Sequence, residues 1–273
     1  MHTLEVSNLR IWDEQTDKIL VKDSSFQIEP ESCLAIVGES GSGKSVTCRA
    51  IMRLNKANIR HTGSIKLAGL ELSELSEAEM RKLRGRQLGL IMQNGMRAFD
   101  PSSVVGSHFK ETLKQHYGWS QAEITARMAR AMENVMLKDP VALMNKYPHQ
   151  LSGGMLQRMM IALAIVLKPT LIIADEPTSA LDTLSQYEVM EQLITLKAET
   201  GCSMIFVSHD LSAVKRIADD VAVMRNGEII ESGTAAEIFT NTQHAYTKYL
   251  IDAKQALNSH FIRSMGGLAL VDR

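Results

Sequence analysis

Only three cysteines occur in the 273 residues, Cys33, Cys48 and Cys202, far apart and without a CxxC or Cys/His pattern. That spacing excludes a disulfide-stapled scaffold and a zinc site, and leaves three reduced, largely buried thiols as the expectation. No apolar run approaches the roughly 18 residues of a membrane span. The N-terminus has no basic segment leading into an apolar one, so no signal peptide is expected. Any service to a membrane is then rendered by docking onto partners that cross it. An excess of either charge is missing too: 30 Lys and Arg face 31 Asp and Glu, for a formal net charge of −1. Neither a nucleic-acid partner nor an anionic membrane surface is favoured. Internal repeats and low-complexity tracts are also lacking.

What is present is ordinary for a soluble globular protein, with 45% hydrophobic and 22% charged residues. The length suits one large domain or two modest ones, with a core that needs no staples. Sixteen methionines are scattered through apolar segments without ligand spacing, which points to packing and not to metal binding.

Leu4 to Val6 and Phe26 to Ile28 alternate as strands do. The apolar run Cys33 to Val37 is too short for a helix and reads as a buried parallel strand, with Val46 to Leu54 in helical pattern after it. Two further runs, Leu171 to Ala174 and Met204 to Val207, repeat the first. Buried strands separated by helical stretches indicate an α/β fold with a mainly parallel sheet. Between Gly95 and Lys168 the texture becomes helical, most clearly over Gln121 to Leu137, which predicts a helical subdomain inserted into that core. The expected division is 1–94 with 169–240 for the core, 95–168 for the helical part and 241–273 for a C-terminal extension. Val221 to Ile230 reads as a hairpin turning at Asn226-Gly227.

Gly38-Glu39-Ser40-Gly41-Ser42-Gly43-Lys44-Ser45 satisfies G-x-x-x-x-G-K-[ST], between a buried strand and a helix. The glycines let successive N–H groups point inward at phosphate oxygens. The N-terminus of the next helix adds about half an elementary positive charge. Lys44 is expected to reach the β- and γ-phosphates, and the Ser45 hydroxyl to ligate Mg²⁺. The run ending in Ala174 places Asp175 and Glu176 at the carboxyl end of a strand, the edge where ligands gather in open α/β sheets. Two such acids either end a strand in solvent or face a ligand, and the upstream phosphate loop favours the second. Asp175 is then suited to Mg²⁺, and Glu176 to accept a proton from an attacking water.

Leu151-Ser152-Gly153-Gly154-Met155 resembles the LSGGQ signature of ABC ATPases, in the family's order between loop and acid pair. Gln93 is similar to the Q-loop glutamine, Ser179-Ala180-Leu181-Asp182 to the D-loop and His209 to the switch histidine. The resemblance covers about residues 3 to 250 and departs at Met155, where the family has glutamine. It implies a RecA-like P-loop NTPase core with an N-terminal antiparallel β subdomain and the helical insert. It also implies hydrolysis of ATP with Mg²⁺, held by Ser45, Gln93 and Asp175. Ser152, Gly153 and Gly154 would cap ATP bound at a second, similar subunit in a head-to-tail dimer. Glu176, His209 and Gln93 would serve hydrolysis, and Asp182 would link the two sites. Trp12 matches the aromatic that stacks on adenine, although packing beside Ile11 accounts for it as well.

Gln243-His244-Ala245-Tyr246-Thr247-Lys248-Tyr249-Leu250 resembles the H-P-Y-T-x-x-L tail of the peptide/nickel importer branch, with alanine for proline. Arg97 to Ser102 and Leu151 to Arg158 look most like ATPases of nickel and metal–metallophore (opine-type) importers. The resemblance therefore implies an importer of nickel, cobalt, zinc or a metal–metallophore complex. Peptide importers and a phosphonate-cleaving lyase assembly are the alternatives. The implied partners are two transmembrane permease subunits, a second and different ATPase chain and, indirectly, an extracytoplasmic substrate-binding protein. The implied place is peripheral, on the cytoplasmic face of the inner membrane.

Overall fold

The chain opens with two antiparallel strands, β1 (Leu4–Asp13) and β2 (Lys18–Ile28), paired from Leu4 with Ile28 to Asp13 with Lys18. The structure is a computed structural model and describes residues 2–253. β3 (Cys33–Val37) follows, buried along its whole length, and then α1 (Lys44–Ile51). β4 (Ile59–Leu67) and the short β5 (Leu70–Glu71) extend the antiparallel side. α2 (Glu77–Leu83), started by a capping box of Ser76 and Glu79, leads into β6 (Leu88–Ile91).

Four helices come next: α3 (Val105–Tyr117), α4 (Gln121–Asn134), α5 (Pro140–Met144) and α6 (Gly153–Leu167). The chain then returns through β7 (Leu171–Asp175), α7 (Thr183–Thr200), β8 (Ser203–Val207) and α8 (Leu211–Ile217). The described part ends with β9 (Asp220–Arg225), β10 (Glu228–Thr234), α9 (Ala235–Thr240) and a helical stretch over 245–253. Of the extension expected over 241–273, residues 254–273 lie outside the described residues.

The ten strands of the described residues join one sheet in the order β5-β4-β1-β2-β10-β9-β3-β8-β7-β6. From β9 to β6 the pairs are parallel, while β1, β2, β4 and β5 pair antiparallel with one another; β10 joins the two parts, antiparallel to β9 and parallel to β2. The period of two along β3 splits the core cleanly. Cys33, Ala35 and Val37 face the apolar cluster built with α3, α4, α6 and α7. Leu34 and Ile36 face the cluster built with α1, β1, β2 and β4. Both faces of the central strands are therefore covered, which explains their uninterrupted apolar runs. Helix α6 is apolar nearly all round and accordingly buried, against α4 and α7.

The hairpin β9–β10 turns at Asn226 (φ 50°) and Gly227 (φ 80°), the left-handed pair that a two-residue turn of this twist requires. One helix is shorter than its sequence pattern. α1 ends at Ile51 and not near Leu54, because Arg53 turns left-handed (φ 50°) and its guanidinium bonds the carbonyls of Leu72 and Leu75. No helix among the described residues is long and apolar enough to cross a membrane.

Candidate nucleotide site

The loop between β3 and α1 is built on glycine. Gly38 has φ 151°, and a Cβ there would sit 2.1 Å from the Met224 carbonyl oxygen of β9. Only a residue without a side chain lets the loop pass so close to the neighbouring strand. Lys44, 5% exposed, turns its ammonium back into the loop and donates to the carbonyls of Gly38 and Glu39, each at 2.8 Å. Burial pulls its pKa below the usual lysine value, against the upward pull of the Glu176 and Asp175 charges. A buried cation held only by dipoles is one that a phosphate oxygen would bind better.

At the carboxyl end of β7, Asp175 accepts a 2.8 Å hydrogen bond from Ser45 Oγ. This joins the end of the loop to the acid pair expected from sequence. Burial raises the Asp175 pKa, and the Ser45 bond and the Arg49 and Lys44 charges only partly offset it. The pair thus offers two hard oxygen ligands and an undercompensated negative charge, which fits Mg²⁺.

Glu176 departs from the strand with φ 48°, a left-handed conformation that a non-glycine residue keeps only when its surroundings enforce it. Its N–H donates to Val207 O at 2.9 Å, and the Ser179 hydroxyl donates to its carbonyl at 3.1 Å. The Glu176 carboxylate lies 3.6 Å from His209 Nδ1 at the end of β8 and accepts from Gln93 Nε2 at 3.3 Å. Three side chains that sequence placed in one catalytic set therefore meet, although Gln93 and Glu176 are 83 positions apart. Gln93 also donates to Ser179 Oγ at 3.0 Å.

The signature residues stand apart from this cluster, at the start of α6. Ser152 is exposed and caps the helix, its Oγ accepting from Met155 N–H at 3.2 Å. Gly154 is buried, and a Cβ there would meet Ser185 Oγ at 2.9 Å, so its smallness also serves packing against α7. Asp182 caps α7, accepting from Ser185 N–H at 3.0 Å, and this bond first among several holds its pKa below the usual carboxylate value. Trp12 is half-buried on β1, paired with Ile19 of β2. The next residue, Leu20, has its carbonyl within 3.1 Å of where a Gly43 Cβ would be, so Trp12 lies one strand from the loop.

Two participants escaped the sequence reading. Gln157, fully buried in α6, donates from Nε2 to Met92 O at 2.9 Å and so ties the signature helix to the segment carrying Gln93. Its one outward signal is an amide between the apolar Leu156 and the Met159–Met160 pair. The other is Tyr246, seen in sequence only as part of a tail, whose hydroxyl reaches the phosphate loop.

Comparison with known proteins shows the family. The family model described as ABC transporter matches residues 21–179. The metal-staphylopine import system ATP-binding protein CntD of Staphylococcus aureus is 48% identical over 267 residues, 98% of each chain. The dipeptide transport ATP-binding protein DppD of Lactococcus lactis is 41% identical over 260 residues, 94% of this chain and 74% of that protein. Among solved structures, a dimeric post-hydrolysis state of the ATP-binding cassette MJ0796, bound to ADP and Pi, superposes with a TM-score of 0.75. It is 25% identical and covers 85% of this chain and 98% of its own.

Proposed function

Because the chain belongs to the ABC transporter family as an ATP-binding, ATP-hydrolysing subunit, we propose that it energises import of a metal ion or metal–metallophore complex. Nickel, cobalt and zinc are the candidate metals. The observation that carries the catalytic part is the convergence of Ser45–Asp175 and of Gln93, Glu176 and His209 beside the phosphate loop. The cargo rests on the 48% identity, over nearly the whole chain, to a metal-staphylopine importer ATPase.

In this reading the glycine loop, Gly38 to Gly43 with Glu39, Ser40 and Ser42 between, wraps the phosphates of ATP. Lys44 exchanges the Gly38 and Glu39 carbonyls for phosphate oxygens. Ser45 and Asp175, with Gln93, hold Mg²⁺, which neutralises charge on the phosphates. Glu176 takes the proton of the attacking water, His209 keeps that water in line, and Gln93 reports the state of the site toward the permease. Trp12 stacks on adenine. Ser152, Gly153 and Gly154 present a helix N-terminus to the γ-phosphate bound by a second subunit, and Asp182 links the two sites.

As an importer ATPase the chain works with membrane permease subunits. We assign it two of these, a second ATPase chain paired head to tail, and an extracytoplasmic binding protein that it never touches. Its place is then the cytoplasmic face of the inner membrane. The division into a core (1–94, 169–240), a helical part (95–168) and an extension (241–273) belongs to the same reading. Import of peptides is the second reading, favoured by the 41% identity to DppD.

The test is uptake of radioactive nickel, cobalt and zinc, with and without a metallophore, in a deletion strain, beside uptake of a labelled dipeptide. Loss of metal uptake, restored by the wild-type gene and not by one encoding Lys44→Ala, is expected. Loss of dipeptide uptake alone would overturn the metal assignment and leave the ATPase assignment standing.

A further inference from the structure

The segment after α9 is fixed to the body of the protein by Glu231 of β10. Its carboxylate accepts from Thr242 Oγ1 at 2.7 Å, Gln243 N–H at 2.6 Å and His244 N–H at 3.3 Å. Tyr246, two residues further on, is 6% exposed and packs into the larger core cluster. The Arg225 guanidinium, at the end of β9, lies 4.4 Å from the centre of its ring. The tyrosine hydroxyl emerges at the phosphate loop and accepts the Glu39 N–H at 3.3 Å. Met224, the neighbour of Arg225, is the residue whose carbonyl forces glycine at position 38. One end of β9 thus supports both the loop and the tyrosine behind it.

The Glu39 peptide units are held from two sides. The N–H goes to Tyr246, while the carbonyl accepts from Lys44 at 2.8 Å. These two anchors differ in what nucleotide does to them. On the reading above, Lys44 leaves the carbonyl when phosphate arrives, and the loop loses that anchor at the moment it must grip. The Glu39 N–H lies trans to the Gly38 carbonyl that Lys44 holds, so the Tyr246 bond does not compete with phosphate for Lys44.

We propose that Tyr246 is a positioning residue for ATP binding, its hydroxyl holding the Glu39 N–H so that the phosphate loop keeps its shape once Lys44 turns to the nucleotide. The inference rests on the phosphate-loop assignment and goes beyond it, because it gives the C-terminal segment a part in nucleotide affinity.

The test uses the full chain. Tyr246→Phe keeps the ring and its stack on Arg225 and removes only the hydroxyl, which accepts from the Glu39 N–H and also meets the Glu39 side chain. One hydrogen bond of ordinary strength corresponds to about a three- to tenfold rise in the Kd for ATP, read by equilibrium titration. Turnover at saturating ATP is expected to stay within about twofold, since no reacting group changes. A purely structural role would lower the melting temperature and leave the affinity of the folded protein alone. Hydrogen exchange gives a reading that needs no variant: the Glu39 amide of the wild-type protein is expected to be protected without nucleotide and to remain so with ATP. Rapid exchange there, or wild-type ATP affinity in Tyr246→Phe, overturns the proposal. Lys44→Ala, run in parallel, separates the two levels. If it binds ATP normally, the loop assignment fails; if it loses ATP while Tyr246→Phe does not, only the tyrosine's role fails.

Discussion

Replacing Asp175 with asparagine should make the nucleotide-free protein more stable while removing its response to Mg²⁺. The side chain is partly buried at the end of β7, and burial raises its pKa despite the Ser45 hydrogen bond. At neutral pH the folded protein therefore carries a carboxylate that would be better solvated in the unfolded chain. Asparagine has nearly the same shape and keeps an acceptor for Ser45 Oγ, so the substitution removes the charge and little else. A gain of about 1 kcal/mol is expected, or a rise of about 2–4 °C in Tm for a chain of this size. The sign with pH follows from linkage. A raised folded-state pKa means that the folded state binds the proton more tightly, so the penalty is fully present above that pKa. It fades as pH falls through the raised value toward the unfolded one, and the two proteins should converge there. The ligand arm runs the other way. ATP with Mg²⁺ at about a hundredfold its Kd should stabilise the wild type by ~2.7 kcal/mol, and the part that depends on Mg²⁺ should vanish in the variant. Calorimetry of both proteins, without ligand, with ATP and EDTA, and with ATP and Mg²⁺, reads every arm. A nucleotide-free Tm below wild type, or an intact Mg²⁺ increment, would refute the argument.

Glu176→Gln should leave ATP affinity within about twofold and lower turnover by about 10²–10⁴, read as phosphate release, because the carboxylate makes its close contacts with Gln93 and His209 and acts on Lys44 of the loop only through its charge. Gly38→Ala should cost about 1–3 kcal/mol and abolish nucleotide binding, since its Cβ would lie 2.1 Å from Met224 O; a wild-type melting curve would contradict the packing described. Gln157→Leu frees the Met92 carbonyl but also removes an Oε1 that is buried without a partner, so the net loss should be only about 1 kcal/mol in denaturant melts. Amides over 92–95 should exchange faster in that variant, and unchanged exchange would speak against the tie.

Features that depend on neighbours along the chain are legible in the sequence alone. The loop Gly38 to Ser45 announces itself because strand, glycines, lysine and helix follow one another directly. The turn at Asn226-Gly227 is readable because two left-handed residues are needed there and few residue types supply them. The three central strands are legible because burial on both faces leaves the runs Cys33 to Val37, Leu171 to Ala174 and Met204 to Val207 apolar, with Asp175 and Ser203 only at strand ends. β4 is not legible: its pattern is mostly exposed or half-buried, with Gly63 in its middle, and it holds its place through pairing with β1. Nor does any local pattern place Tyr246 against Glu39, 207 positions away. That contact arises because β9 and β10 bring the chain back beside β3, which is a property of sheet order.

The signature segment shows how the two kinds of information combine. The family resemblance implies that Ser152-Gly153-Gly154 caps ATP bound at a second subunit, while the residues alone also read as a flexible turn before a helix. In the folded chain the same residues already have local employment. Ser152 caps α6, and the missing side chain of Gly154 makes room for Ser185. Loss of activity on changing Gly154 would therefore follow from packing alone and says little about phosphate. Ser152 is the more informative position, because its side chain is exposed and its cap is worth only about 1 kcal/mol. A deficit in ATP-dependent pairing beyond that small change in stability can come only from what the hydroxyl meets outside its own chain.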